Sequence, residues 1–178
     1  MQIIKANRDA ILKPLQTVAG IVEKRTTLPI LANVLIQKEA DRISFTGTDV
    51  EMQIRTHALI GIGATNESTT VSARKLIDIL RALPEAEVTL TQNAGRLVVS
   101  TGKSRFTLQT LPANDFPLRD AGTEVTSSAT ISQRDLRHLL QMVHFAMAQQ
   151  DIRFYLNGLL LVLSDQAVRS VATDGHRL

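Results

Sequence analysis

The chain repeats itself at long range. Displaced by 125 positions, Leu31, Val34, Leu35, Ile36, Ile43 and Thr48-Asp49 fall without a gap on Leu156, Leu159, Leu160, Leu161, Val168 and Thr173-Asp174. Leu, Thr and Asp are identical at matching places, and the aliphatic positions between them match in kind. Each stretch comes after an amphipathic helical pattern. Solenoid units recur every 20–50 residues or so, so an offset of this size marks a domain-sized duplication. The second copy runs only to Leu178, where the first copy still has a helix and several strands to come. The sequence therefore reads as one complete domain over 1–122 and the opening half of a second over 128–178.

Periodicity fills in the elements. Residues 2–6 predict a strand, and Asn7 can cap the helix that follows. Ile11, Leu12, Leu15, Val18, Ala19 and Val22 share one helical face, with Pro14 in conflict inside it. Residues 24–29 break that helix. Strands are expected at 31–38, 42–48 and 52–60; in the last, Thr56 intrudes on the apolar side. After the loop 61–68 comes a short strand near 69–72. Ser72 then caps a helix whose buried face is Leu76, Ile77, Leu80 and Leu83 and whose outer face is Arg74, Asp78 and Arg81. Strands at 87–92, 96–101 and 104–110 follow, turned by Asn93-Ala94-Gly95 and by Gly102. Residues 112–128 look like a linker. Ser132 and Asp135 open a third helix, with Leu136, Leu139, Leu140, Val143 and Met147 as its apolar stripe. Strands at 153–164 and 167–173 complete the pattern. The fold class is α+β: a duplicated unit of antiparallel sheet with two helices on one face.

Composition narrows the function classes. The chain has no cysteine, which removes disulfides and thiolate metal sites and fits a reducing cytoplasm. It shows no signal-peptide pattern and no apolar run long enough to span a membrane. Lys and Arg number 20 against 17 Asp and Glu, and the excess lies wholly within 1–122. So mild a surplus permits contact with nucleic acid without demanding it. Five Phe, one Tyr and no Trp disfavour a stacking platform for single strands.

Three clusters carry candidate chemistry. Asp174, His176 and Arg177 lie together after Thr173, and an enzyme would use them as a hydrolytic or metal site. No further histidine has ligand spacing to them, and Asp174-Gly175 is also an ordinary turn pair. The first copy has Val50-Glu51 where the second has Gly175-His176, so the Gly-His-Arg-Leu extension is particular to the second copy. Basic residues on helices form the second cluster: Arg74 and Arg81 seven apart, Lys13, Lys24 and Arg25 on or after the first helix, and Arg134 and Arg137 on the third. They suit either a phosphate backbone or plain solvent. The third is Lys103–Leu108. If this strand is an edge, Phe106 and Leu108 share one face, and the segment can serve as half of a subunit interface or as an ordinary core strand.

The segments TLPILANVLIQ (27–37), FTGTDVEM (45–52), SARKLIDILRALPE (72–85), SRFTLQTLPANDFP (104–117), FAMAQQDIRFYLNGLLL (145–161) and VATDGHRL (171–178) together resemble the bacterial DNA polymerase III β subunit family, the sliding clamps. The resemblance covers essentially the whole chain in order. It departs at the end, because that family has three copies of one domain; the rest of the second copy and all of the third are not in this sequence.

The resemblance implies two three-domain subunits closing head to tail into a ring. Helices would line the hole, and duplex DNA would thread it through sequence-independent phosphate contacts. The ring would tether the replicative polymerase, the clamp loader and other partners without chemistry of its own, and with no cofactor. Carried over residue by residue, DNA contacts would fall on Arg25, Arg74, Gln150 and Tyr155, with Lys13 and Arg81 added from their helix face. A pocket for linear peptides would use Arg153, Leu156, Thr173, Gly175, His176, Arg177 and Leu178, Leu156 and Leu178 giving apolar walls. The homodimer interface would use Lys75, Ile79, Arg105, Phe106 and Leu108. A peptide-binding module that does not encircle DNA is the alternative.

Overall fold

The computed structural model describes residues 1–22, 27–63, 65–84, 86–119, 128–164 and 166–178. The chain divides into two compact units, Met1–Ala121 and Gly122–Leu178. In the first, β1 (Gln2–Asn7) leads into α1 (Arg8–Ala19), a 3₁₀ turn (Pro29–Ala32), β2 (Asn33–Glu39), β3 (Arg42–Thr48), β4 (Gln53–Leu59), β5 (Glu67–Ser72), α2 (Ala73–Ala82), β6 (Glu87–Asn93), β7 (Arg96–Thr101) and β8 (Ser104–Leu111). All the strands join one antiparallel sheet in the order β1-β6-β7-β8-β5-β2-β3-β4. The sheet curls until its two end strands meet, through a bridge from Ile4 to Gly61 just past β4.

One face of that curl holds the core. Val34 and Ile36, Ile43 and Phe45, Val88 and Leu90, Leu97 and Val99 alternate inward, as period two requires. They close on Ile11, Leu15 and Val18 of α1 and on Leu76, Ile77 and Leu80 of α2. Helices therefore cover one face only, as the pattern predicts.

The helix ends follow local chemistry. Asn7 accepts from the Asp9 N–H at 2.9 Å, and Ser72 caps α2 at the Lys75 N–H. α1 stops at Ala19, so Val22 lies beyond the helix rather than on its face. The two misfits in the sequence meet each other: Thr56 donates its hydroxyl to the carbonyl of Pro14 at 2.9 Å. The polar residue on the helix-facing side of β4 thus pairs with the helix at its proline. α1 approaches β3 so closely that a Cβ on Gly47 would stand 2.9 Å from the Val18 carbonyl oxygen. Ala94 and Gly95, at φ 41° and 75°, make the left-handed pair of a tight hairpin between β6 and β7.

Sequence patterning did not single out Lys38. It shares the inward face of β2 with Val34 and Ile36, and its side chain is 1% exposed. Its ammonium end is covered by the connection between β4 and β5. There it donates to the Gly63 carbonyl at 2.8 Å and to the Thr65 carbonyl, pinning the connection between β4 and β5.

In the second unit, Ser132 caps α3 (Gln133–Val143) at the Asp135 N–H, 3.1 Å away. 3₁₀ turns His144–Ala146 and Phe154–Leu156 precede β9 (Leu160–Leu163), which among the described residues pairs with β10 (Val168–Val171) alone. Two expected strands are corrected here. That placed at 31–38 starts at Asn33, and that placed at 153–164 is confined to Leu160–Leu163, because the chain first makes a 3₁₀ turn in each copy. The turns are themselves a repeat: the N–H of Leu31 bonds the Leu28 carbonyl as that of Leu156 bonds the Arg153 carbonyl.

The repeat extends to individual hydrogen bonds. Thr48 Oγ1 donates to the Met52 carbonyl and accepts from the Val50 N–H, while Asp49 Oδ1 accepts from the Met52 N–H. Thr173 Oγ1 donates to the Arg177 carbonyl and accepts from the Gly175 N–H, while Asp174 Oδ1 accepts from the Arg177 N–H. The invariant Thr-Asp pair is thus the hydrogen-bonding skeleton of one turn used twice. The turn needs a left-handed residue at its third position: Gly175 at φ 90° meets that need freely, and Val50 at φ 81° meets it under strain.

Two stability outcomes are expected in urea unfolding of the first unit. Val50→Gly relieves about 1–3 kcal/mol of backbone strain, so it is neutral or stabilising despite the flexibility that glycine adds. Gly47→Ala, which drives a methyl into the Val18 carbonyl, costs about 1–3 kcal/mol. A Val50→Gly protein clearly weaker than wild type contradicts the strain.

Candidate partner cleft, helix face and open strand edge

The turn after β10 faces the loop after α3 across an open cleft of about 860 Å³, whose lining includes Gln150, Asp151, Arg153, Asp174, His176 and Arg177. Both arginines are held before anything binds. The Arg153 guanidinium makes a two-point contact with Asp151, Nε to Oδ1 at 3.0 Å and Nη2 to Oδ2 at 2.8 Å. Arg177 Nε reaches Asp174 Oδ2 at 2.9 Å, and its guanidinium carbon lies 5.9 Å from the centroid of the Phe145 ring. Asn157 secures the loop by accepting from the Asp151 N–H and donating to the Asp151 carbonyl.

These contacts fix the charge states. The Arg153 side chain, then its backbone N–H, hold the Asp151 carboxyl down at about 2, and Asp151 in turn raises Arg153. Asp174 is lowered first by the His176 N–H, then by the N–H and guanidinium of Arg177. Its carboxylate is committed to the turn, which is a structural duty rather than that of a free general base. No group of three or more His, Cys, Asp or Glu able to hold a metal occurs among the described residues. The cleft offers two oriented guanidiniums beside exposed apolar surface at Phe145. That combination suits the carbonyls, carboxylate and apolar side chains of an extended peptide.

Of the residues expected to form the pocket, Arg153, His176 and Arg177 line this cleft. Thr173 and Gly175 shape it from behind, Gly175 lying against the Arg153 guanidinium. Leu156 and Leu178 do not line it: Leu156 is half-buried in its 3₁₀ turn, and Leu178 is 88% exposed. Sequence reasoning missed Asp151, Asn157 and Phe145. Only Asp151 left a readable trace, as an acid two residues before an arginine.

On the first unit, Lys13 of α1 and Arg74 and Arg81 of α2 all point outward from the paired helices. Arg74 stands 3.8 Å from Asp78. The Gln16 amide of α1 lies beside the Arg81 guanidinium of α2, and the amide orientation that places its oxygen there accepts from Arg81 at 3.0 Å, a link across the helix pair that composition did not signal. Gln150, at φ 56°, and Tyr155, 69% exposed, are surface residues of the second unit. Arg25 and Lys24 lie outside the described residues.

β8 is an edge strand for most of its length. It pairs with β7 over Ser104–Gln109 but with β5 only at Thr110 and Leu111. Arg105 and Phe106 are exposed along the open part, and Lys75 and half-buried Ile79 lie on α2. Leu108 shares the Phe106 face but is 8% exposed and belongs to the core, and Lys103 sits in the turn before the strand.

Comparison with known proteins identifies the family and the fold. Residues 1–120 match the model of the DNA polymerase III beta subunit N-terminal domain, and residues 130–178 that of its central domain. The chain is 49% identical over 172 residues to a beta sliding clamp of Pseudomonas aeruginosa, covering 96% of this chain and 47% of that one. Against the beta sliding clamp of Escherichia coli K12 it is 46% identical over 173 residues, again spanning 47% of the relative. Among solved structures, the DNA polymerase III subunit beta of P. aeruginosa superposes with a TM-score of 0.90 at 47% identity, over 98% of this chain and 47% of the other. A P. aeruginosa clamp bound to griselimycin gives 0.91 at 46% identity, with the same coverage. The chain thus spans about half the length of the relatives it matches.

An NMR titration of side-chain carboxyl carbons should place the Asp151 midpoint near 2, well below an ordinary aspartate. Because the folded value is depressed, the stabilisation from this carboxylate is complete above about pH 4. It is lost as pH falls toward 2. Arg153→Ala should return the midpoint toward 3.8; a midpoint already there in the unmodified protein contradicts the clamped loop.

Proposed function

Since the chain belongs to the family of the bacterial DNA polymerase III beta subunit, we propose that it forms part of a ring-shaped sliding clamp, a processivity factor that tethers the replicative polymerase to duplex DNA. The observation that carries this is the collinear match of two successive clamp domains. The exposed cations fit the role. Lys13, Arg74 and Arg81 project from the helix side, where a duplex would be met by phosphate contacts alone. Their sparseness suits sliding, since a dense positive stripe would hold DNA in place. The family's three-domain subunit would close head to tail on a second copy, with the open edge of β8 and the flanking Arg105 and Phe106 as one half of the junction. The 1–122 and 128–178 segments would then be its first domain and the start of its second.

In this reading the cleft between the Asp151–Arg153 loop and the Thr173–Arg177 turn receives linear peptides from the polymerase, the clamp loader and other partners. The protein itself contributes position rather than bond-making: it raises the local concentration of polymerase at the primer end.

The test is topological and uses the full-length protein that contains this chain. Loaded on nicked circular plasmid, it should remain bound through gel filtration and be released when the plasmid is linearised. Equal retention on circular and linear DNA would favour the peptide-binding module that does not encircle DNA. In parallel, Arg177→Ala should weaken binding of a fluorescent linear peptide from its replicative polymerase about tenfold, which is about 1.4 kcal/mol. Unchanged affinity removes the cleft from the mechanism.

A further inference from the structure

The cleft turn of the second unit has a twin in the first, and the twin is already occupied. Thr48–Met52 and Thr173–Arg177 share the same three hydrogen bonds, so Glu51 corresponds to His176 and Met52 to Arg177. In the second unit these positions border open cleft. In the first unit, Arg119 Nη1 donates to the Glu51 carbonyl at 2.6 Å, and the Arg119 N–H donates to Gln53 Oε1 at 3.0 Å.

The segment that delivers Arg119 is firmly seated. A 3₁₀ turn, Ala113–Asp115, leads to Phe116, which is 4% exposed, and the Leu118 N–H closes back on the Phe116 carbonyl at 2.9 Å. From that buried anchor the chain can run in few directions, and it runs onto the turn. The contact joins a charged donor to a backbone carbonyl and a main-chain N–H to a side-chain amide, the kind of polar contacts an extended peptide offers.

We infer that residues 116–119 act as a built-in peptide strap, filling on the first unit the place that an external peptide takes on the second. The first unit has Leu28 and Met52 at the positions of Arg153 and Arg177, so its turn offers no guanidinium to a partner; the strap covers that turn and leaves the second unit's for partners. The inference rests on reading the second unit's cleft as a peptide seat, and its test is independent of the peptide titration that decides that reading.

Hydrogen exchange of the full-length protein, read by mass spectrometry, tests it without any ligand. In Arg119→Ala, backbone amides of 49–53 and 117–119 should exchange on the order of tenfold faster, while those of 42–47 keep wild-type protection. Arg119→Lys, which keeps the charge and loses the fork, should fall between. Unchanged exchange in Arg119→Ala overturns the strap. So does loss of protection spreading equally through β2 and β3, which would make Arg119 a general stabiliser of the fold. If the strap holds and Arg177→Ala leaves peptide affinity unchanged, the cleft reading fails and the strap contact stands alone.

Discussion

The closure of α1 and α2 over one face of a curled sheet is the contact on which the rest of the first unit depends. It consumes the alternating aliphatic residues of the strands, and it requires Gly47 where the end of α1 meets β3. Once both helices are committed to the same face, their polar sides must point away from it together. That is what sets Lys13, Arg74 and Arg81 out on a common side from a chain whose overall surplus of positive charge is only three. The helix face is a by-product of core packing before it is anything else. Among the described residues, Ser104–Gln109 of β8 pair on one side only, with β7.

Among the described residues, the second unit has α3, β9 and β10 as its regular elements. Its helix buries no residue fully, and β9 exposes all four of its apolar residues. In the first copy the equivalent strand, β2, lies between β3 and β5. Yet the turn at Thr173–Arg177 keeps its full set of bonds, because these are local and need no sheet beyond β10. Local hydrogen bonding rather than core burial therefore preserves the cleft's geometry in this chain.

Much of this was legible in the residues. Strong periodicity located the helices and most strands, and Asn7, Ser72 and Ser132 marked helix starts because their side chains have a specific orphan N–H to meet. The resemblance placed Arg153, His176 and Arg177, which the structure gathers into one cleft. What failed to show was of two kinds. Apolar runs hid the 3₁₀ turns at Pro29–Ala32 and Phe154–Leu156, since aliphatic and aromatic residues there look like the start of the strand that follows. Long-range polar pairs left no trace either: Thr56 with Pro14, Gln16 with Arg81, and Arg119 with Glu51 lie 42, 65 and 68 positions apart, and no local rule links them. The strain at Val50, at φ 81°, also left no trace, because a valine after Thr-Asp reads like any strand residue.

Lys38 adds a practical consequence. Lys5, Lys13, Lys75 and Lys103 lie in solvent, whereas the Lys38 amine is engaged by two carbonyls of the connection between β4 and β5. An amine-acylating reagent would therefore mark the surface lysines at once and reach Lys38 only when that connection lifts. A single residue inside the barrel-like wall would then serve as a chemical clock for how often the connection lifts, readable on unmodified protein without a mutation or an attached probe.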